Sequence, residues 1–579
     1  MYKVLVAICL ATTAALVLSA KWSGSREGRN TFVFNNGLEV NSLDPHVITW
    51  KHDIRIANAL FEGLMAFRVD PPAEGQRMGQ LALTNGVAER YEISPDGRTY
   101  TFHLRGDARW SNGQPVTAEH FRWSWQRVLT PATAADYANL MFTIAGAQAY
   151  YHALADGRPA SFDEVGVTAL DERTLEVRLE NPCAYFLDLT AFPPFFPVYP
   201  PLLAGHVEDG HPAFFNGITT YKDAWTNPDQ IVTNGPFLLK EHGYKRQMVL
   251  EKSPLYWDRR HVALDRIRAL AIEDFKASLH AYESGNCQYI DALPLPALRA
   301  LTDGTARRKR ADFYPENSFG TYFYRFNCQP TAAGLPNPLA DVRLRRALAL
   351  AVDRADIVAV AGGHQQPASV FIPPGLTVQD ANGHPAPYPS PTGQKFDIAA
   401  ARKLLVEAGY PGGRGLPELR LMYNTGYGHE AVAQRLQAMW KEQLGVQVSF
   451  IVKDGAAFGA ALKKKELKEW HLGRGGWFGD YRDPTTFLDM FISGNGNNDS
   501  GYSNPRFDDL MRQAAGELDQ TRRMDLYRQA EQLVIEQDAV ILPLYHYVEH
   551  LMIAPEVQGA WPNQMGYLVL KQVAIQAGG

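Results

Sequence analysis

The chain has 579 residues, 46% of them apolar, which is enough material for several cores and more than one domain. Its formal net charge is -5 with no long run of one sign, which excludes a nucleic-acid surface as the main contact. Aromatic residues make up 11%, more than cores usually need, and the surplus suits the wall of a ligand cleft.

Val4 to Ala20 form one apolar run behind Lys3, the pattern of a secretory signal peptide or of a retained N-terminal anchor. Ser19-Ala20 offers a small residue at the exit, but Leu18 stands where cleavage favours alanine, so both outcomes stay open. Either way the chain is expected outside the cytoplasm. Beyond this segment stand Cys183, Cys287 and Cys328. Three thiols leave at least one unpaired, so disulfides are not the framework, and buried inert thiols are expected.

After a polar linker, Thr31 to Phe34 begins a strand, and an amphipathic helix is expected from His52 to Leu64. Tyr100 to Leu104 alternates as a strand, and Thr117 opens a helix carrying Phe121, Trp123, Trp125 and Val128. Thr174 to Leu179 and Met248 to Lys252 read as further strands. A second pattern starts with a strand over Thr321 to Phe326, then a helix from Asp341 through Leu348 that reads on to Arg354. Pro367 to Gly393 is a Pro/Gly-rich loop. Helices at Ile398 to Ala408 and Glu430 to Leu444 flank a strand at Leu419 to Tyr423, and Gly445 to Phe450 gives another strand. Strands alternating with helices of this length indicate α/β layering.

Enzyme signatures are missing: there is no Gly-x-Ser-x-Gly elbow, no His-Glu-x-x-His and no P-loop, and Gly494-Asn-Gly496 lacks a third glycine. His429-Glu430 and the His546 to His550 group have no convincing ligand spacing, so hydrogen-bonded histidines are expected there and neither metal nor cofactor. The segment Gly475-Gly-Trp-Phe-Gly-Asp480-Tyr481-Arg-Asp-Pro484 is the most informative. Its glycines allow close approach of backbone and ligand, and an acid on a turn between Trp477 and Tyr481 suits capture of a cationic group beside an apolar wall. The competing role of Asp480 is to cap a helix over Thr485 to Phe491.

Features in serial order carry a resemblance. They are Ser42-Leu-Asp44-Pro45-His46, Leu60-Phe-Glu-Gly63-Leu64, Trp110-Ser-Asn-Gly113-Gln-Pro115-Val-Thr117, Phe121-Arg-Trp-Ser-Trp125-Gln126-Arg127, Val232-Thr-Asn234-Gly235, Tyr256-Trp257, Asp341-Val-Arg343 and Asp480-Tyr481. From about residue 32 to 571 the chain resembles the extracytoplasmic solute-binding proteins of ATP-driven importers, the peptide/nickel-binding family. The resemblance implies an α/β, two-lobed, three-domain clamshell with mixed sheets flanked by helices. It implies a main domain of lobe I over 31–63, 187–319 and 548–579, a small additional domain over 64–186, and lobe II over 320–547, behind a signal or anchor segment and linker over 1–30. It further implies a monomeric, non-enzymatic periplasmic binder of oligopeptides that serves an inner-membrane ABC permease without any cofactor.

Site residues carry over one by one. Asp480 matches the partner of a peptide's α-amino group, Trp477 the tryptophan beside it, and Tyr137 a lining tyrosine from the small domain. Arg474 matches an arginine that reaches a short peptide's carboxylate, and His429 stands where a longer peptide would end. Tyr547 falls near the hinge, and Gly476, Phe478, Thr49 and Tyr322 complete the expected lining. A structural ion pair is the competing role of Arg474, and core packing that of Tyr137 and Tyr547. Gly320 and Phe478 stand in place of a cleft disulfide, Arg325 replaces an acid, and Thr49 to Lys51 differs, so the end-group chemistry remains open away from the amine end. A murein peptide or another small solute is the alternative ligand. An anchored sensor or chaperone of the same fold, or a secreted hydrolase lacking the usual motifs, are the rival classes.

Overall fold

The computed structural model describes residues 30–204, 225–302, 310–379, 385–426, 428–463 and 469–576. The apolar run Val4–Ala20 lies outside them. Among the described residues no helix is long and apolar enough to cross a membrane.

One large mixed sheet runs through the molecule. Its strands are β1 (Thr31–Asn35), β2 (Phe237–Gly243), β3 (Gln247–Lys252), β4 (Arg266–Leu270), β5 (Tyr289–Ile290), β6 (Phe313–Phe326), β7 (Leu419–Asn424), β8 (Val448–Lys453), β9 (Leu472–Phe478) and β10 (Ile541–Ile553). Their spatial order is β8-β7-β9-β6-β10-β5-β1-β4-β3-β2, with the short strand Gln366–Pro367 added to β10. The two long strands β6 and β10 pair antiparallel and connect the halves, and their register shifts between Asn317 and Thr321. A separate antiparallel sheet of 88–93, 99–104, 174–178 and 167–171 stands apart from the large one. Its strand 99–104 alternates buried and half-exposed residues, as a sheet covered on one face requires.

The cores follow this division. One cluster gathers buried residues from Phe32 to Ala269 together with Leu551 to Val573. Two others, around Tyr322 and around Phe323, fill opposite faces of the second half of the sheet. Cys183 and Cys287 are buried and Cys328 is half-buried; none forms a disulfide.

Several element boundaries differ from the sequence reading. Helix α1 (Lys51–Leu60) stops four residues early. There Gly235 packs so closely that a β-carbon on it would stand 2.5 Å from the carbonyl carbon of Leu60, and Gly63 meets Thr190 O in the same way at 2.2 Å. The helix expected to run on to Arg354 is two helices, α2 (Val342–Leu350) and α3 (Arg354–Ala361). Asp353 is extended and accepts from Ala355 N at 2.9 Å, so it caps a new helix instead of continuing the old one. β6 begins eight residues before Thr321, because its first part pairs with β10 beyond the reach of a local pattern. β8 begins at Val448, three residues after Gly445, which is held as a left-handed helix cap.

The serial motifs meet in space. Arg127 donates to both carboxylate oxygens of Asp44, at 3.1 and 2.6 Å, and to His46 Nδ1 at 2.7 Å. Burial alone would raise the Asp44 carboxyl, but the guanidinium beside it holds it below its ordinary range. Burial takes His46 down to about 4, which leaves a neutral ring to accept from Arg127. Glu62 likewise accepts from Tyr256 Oη and from Trp257 Nε1, while Asn234 brackets its backbone. Arg127→Ala leaves a buried carboxylate unpaired, and we expect a loss of about 3–5 kcal/mol in urea unfolding. A loss below about 1 kcal/mol would show that water replaces the guanidinium.

Candidate ligand cleft between the lobes

The informative segment is a strand for its first part. Gly475 and Gly476 sit inside β9 rather than in a turn. A β-carbon at Gly475 would stand 2.4 Å from the Phe323 ring, and one at Gly476 would stand 2.6 Å from Tyr547 Oη. Glycine is therefore required for these aromatics to lie against the strand. β6 pairs with β9 along its whole length, but β7 pairs only with Leu472 and Gly473. From Arg474 to Phe478 the strand has one edge without a strand partner among the described residues, a template for an added strand.

Beyond β9, Gly479 N still donates to Phe319 O at 2.8 Å, and then the chain bends toward the opposite lobe. The Tyr137 hydroxyl donates to Asp480 Oδ1 at 2.9 Å, a hydrogen bond between residues 343 apart. Tyr481 stacks on Tyr185 with centroids 4.4 Å apart and planes 10° apart. Arg482 donates to Leu81 O at 2.8 Å and to Asp188 Oδ1 at 3.2 Å. The segment 480–482 thus bridges the lobes and the cleft is shut. Asp480 does not cap the helix that follows: Asp483 accepts from Thr485 N, while Asp480 N donates to Thr486 Oγ1. Trp477 Nε1 donates to Thr486 O at 2.6 Å, which braces the same turn. Burial pushes the Asp480 carboxyl up to about 7, against the pull of the Tyr137 hydrogen bond.

The other end of the strand carries a cation. Arg474 lies 5.0 Å over the Tyr322 ring and donates to Tyr547 Oη at 3.3 Å. Among the described residues no carboxylate stands within ion-pair distance of it, and its buried Nε has no acceptor. Tyr322 itself is fully buried, stacked on Tyr545 at 4.6 Å, so it acts on the cleft through Arg474 rather than lining it. His429, the first residue of the helix His429–Leu444, is also buried and meets Tyr322 Oη through Nδ1 at 3.2 Å. Burial, helped by the charge of Arg474, lowers its pKa to about 3, so at neutral pH it supplies a neutral ring and no second cation. Tyr547 is half-buried and stacks on Phe478, a residue that is 49% exposed. No hydrogen bond joins Thr49, half-buried ahead of α1, to any of these residues.

Arg325, a gained charge in sequence, pairs with Asp499 at 2.7 Å and is buried, so it serves packing rather than the cleft. His546 bonds Thr321 and His550 bonds Gly363, in keeping with hydrogen-bonded histidines. No group of three or more His, Cys, Asp or Glu among the described residues is arranged to hold a metal. Sequence reasoning missed Tyr185, Asp188 and Thr486, which carry no local signal because each acts through a partner distant in the chain or in a turn.

Residues 82–499 match the model of the bacterial extracellular solute-binding proteins, family 5 Middle. The periplasmic oligopeptide-binding protein OppA of Escherichia coli (strain K12) is 34% identical over 536 residues, 92% of this chain and 90% of that protein. The structure of the Escherichia coli murein tripeptide binding protein MppA superposes with a TM-score of 0.77 at 29% identity, covering 95% of this chain and 99% of that one. Against the unliganded open form of the MppA murein tripeptide binding protein the TM-score falls to 0.67 at 30% identity, with 95% and 98% covered. That drop at equal coverage agrees with a shut cleft here.

Raising a carboxyl's pKa in the shut form means that form holds the proton more tightly than any form in which Asp480 meets water. The empty shut form therefore gains as pH falls from about 7 toward 4. We expect small-angle scattering of the ligand-free protein to give a smaller radius of gyration at about pH 5 than at about pH 8, a difference lost in Asp480→Asn. A radius independent of pH in the unmodified protein would remove this role.

Proposed function

The chain belongs to family 5 of the bacterial extracellular solute-binding proteins, and we propose that it binds short peptides between its lobes for delivery to an ATP-driven permease. The carrying observation is Asp480, a carboxylate enclosed where the lobes meet with one hydroxyl as its side-chain partner. A peptide's α-ammonium supplies the charge that this carboxylate lacks. A charged hydrogen bond of this kind contributes on the order of 1.5–3 kcal/mol. The open edge of β9 offers main-chain groups to the peptide backbone, which binds any side-chain sequence alike. Arg474 supports capture of the carboxylate at the far end. The strand from Arg474 to Phe478, which leads to the Asp480 turn, spans roughly 13 Å. About four extended ligand residues fit that span.

In this reading residues 31–63, 187–319 and 548–579 form lobe I, 64–186 its small domain and 320–547 lobe II. Contacts made from both lobes exist only in the shut form, so ligand shifts the population toward closure. The protein acts as a monomer in the periplasm, reached through export directed by Val4–Ala20, and performs no reaction of its own. The likeness to a murein tripeptide binder supports a second reading, in which the ligand is a wall-derived peptide that need not present a free α-amine.

Asp480→Ala is expected to weaken binding of free tri- and tetrapeptides at least about tenfold, the effect of losing about 1.4 kcal/mol, by calorimetry. Unchanged affinity would end the amine-site role. N-acetylation of the same peptides is expected to weaken binding to the unmodified protein comparably. Equal affinity for acetylated and free peptides favours the murein reading instead. Native mass spectrometry of the freshly purified protein tests the ligand class itself, since peptide masses should leave with unfolding.

A further inference from the structure

We infer that Arg482 and Asp188 form an electrostatic latch at the rim of the contact between the lobes, which sets how far the empty protein rests shut. The inference rests on the two-lobed peptide reading above. Three consecutive residues of one turn reach the other side. Asp480 meets Tyr137, Tyr481 stacks on Tyr185, and Arg482 donates to Leu81 O at 2.8 Å and to Asp188 Oδ1 at 3.2 Å. Tyr185 precedes the short helix Phe186–Leu189, and Asp188 follows it by three positions, so the ring and the carboxylate present one face to the turn. Asp480 is enclosed, whereas Arg482 keeps 38% of its side chain exposed and Asp188 only 15%.

Closure weighs unequally on the two partners. Arg482 keeps part of its water in the shut form, but Asp188 loses most of its own. Burial holds the Asp188 carboxyl above its ordinary value, against the pull of the guanidinium. Among the described residues Arg482 is the only side chain that donates to it. Asp483 offers no help, being an acid already paired with Arg523 at 2.7 Å. Closing the lobes therefore buries a carboxylate that one arginine from the opposite side must satisfy, and opening returns both groups to water. Without Arg482, Asp188 opposes closure. The arginine's second acceptor, Leu81 O, is a neutral carbonyl, so any bracing through it needs a donor but no particular charge. A latch needs opposite signs and weakens with salt, and this separates the two roles. Arg482 is thus a positioning residue for the turn that carries Asp480.

The test reads the radius of gyration of the ligand-free protein by small-angle scattering and the release of Ala-Ala-Ala by stopped flow. Arg482→Ala is expected to widen the empty protein and to speed release at least about threefold, because release requires the lobes to part. Arg482→Asp, which sets two carboxylates face to face, is expected to do both more strongly. Combining Arg482→Asp with Asp188→Arg restores opposite signs and is expected to bring both readings back toward those of the unmodified protein. Raising salt from about 0.1 M to about 1 M is expected to narrow the gap between the unmodified protein and Arg482→Ala. Readings unchanged in Arg482→Asp, or a swap no better than Arg482→Asp alone, overturn the latch. A gap that ignores salt overturns it as well and leaves Arg482 as a brace on Leu81. Failure of the unmodified protein to bind Ala-Ala-Ala counts against the peptide reading instead, and the four radii still decide the latch.

Discussion

A carboxylate shut between two lobes cannot remain both ionised and unpaired, because removing its water is costly unless another charge or enough donors replace it. Asp480 meets this condition in the empty protein with one hydroxyl from the opposite lobe and a pKa pushed up to about 7. The same solvent exclusion that burdens the empty form strengthens any cation that arrives, since charges interact more strongly where water is absent. The lobes' other contacts, the Tyr185–Tyr481 stack and the two hydrogen bonds of Arg482, hold the turn in place around this group. The contact between the lobes is thereby centred on one short turn.

The strand that leads to Asp480 is built to be approached. Glycine at 475 and 476 brings aromatic rings onto the backbone, one on each face, and one edge of the strand from Arg474 onward has no strand partner among the described residues. Exposed edges normally invite association with other chains. Here the edge ends at the turn where Asp480 meets Tyr137, beside the contact between the lobes. The long strands β6 and β10, shared by both halves of the sheet, give the lobes a common backbone about which to separate.

Two arginines of the second half of the sheet, Arg325 buried and Arg474 half-buried, differ in how they are paired. Arg325 has Asp499 at 2.7 Å and is satisfied within the fold. Arg474 rests on tyrosines, with a buried Nε that finds no acceptor among the described residues. A protein does not gain stability from an orphaned donor, so the fold by itself accounts for Arg325 but not for Arg474. His429, which sequence alone made a candidate for the same task, is neutral and enclosed behind Tyr322.

By itself the sequence determined the periodic and punctuated parts of this protein: the strands over Thr31 to Phe34, Tyr100 to Leu104 and Leu419 to Tyr423, the helices over Ile398 to Ala408 and Glu430 to Leu444, each end within a residue of the observed one, and the family to which the ordered motifs belong. These rest on side-chain alternation, helical spacing and capping residues, which act within a few positions and can be read locally. The glycine-rich segment was legible as a place of close approach, and its acid stood out there from the local pattern. Only the tertiary structure decided that those glycines lie in a strand, that Asp353 splits a helix, and that Tyr322 and His429 support the cleft from behind. It alone brought Tyr137 to Asp480 across 343 residues and laid Phe478 over Gly320. Such contacts depend on how whole sheets and lobes pack, and no local pattern encodes a partner that arrives from another part of the chain.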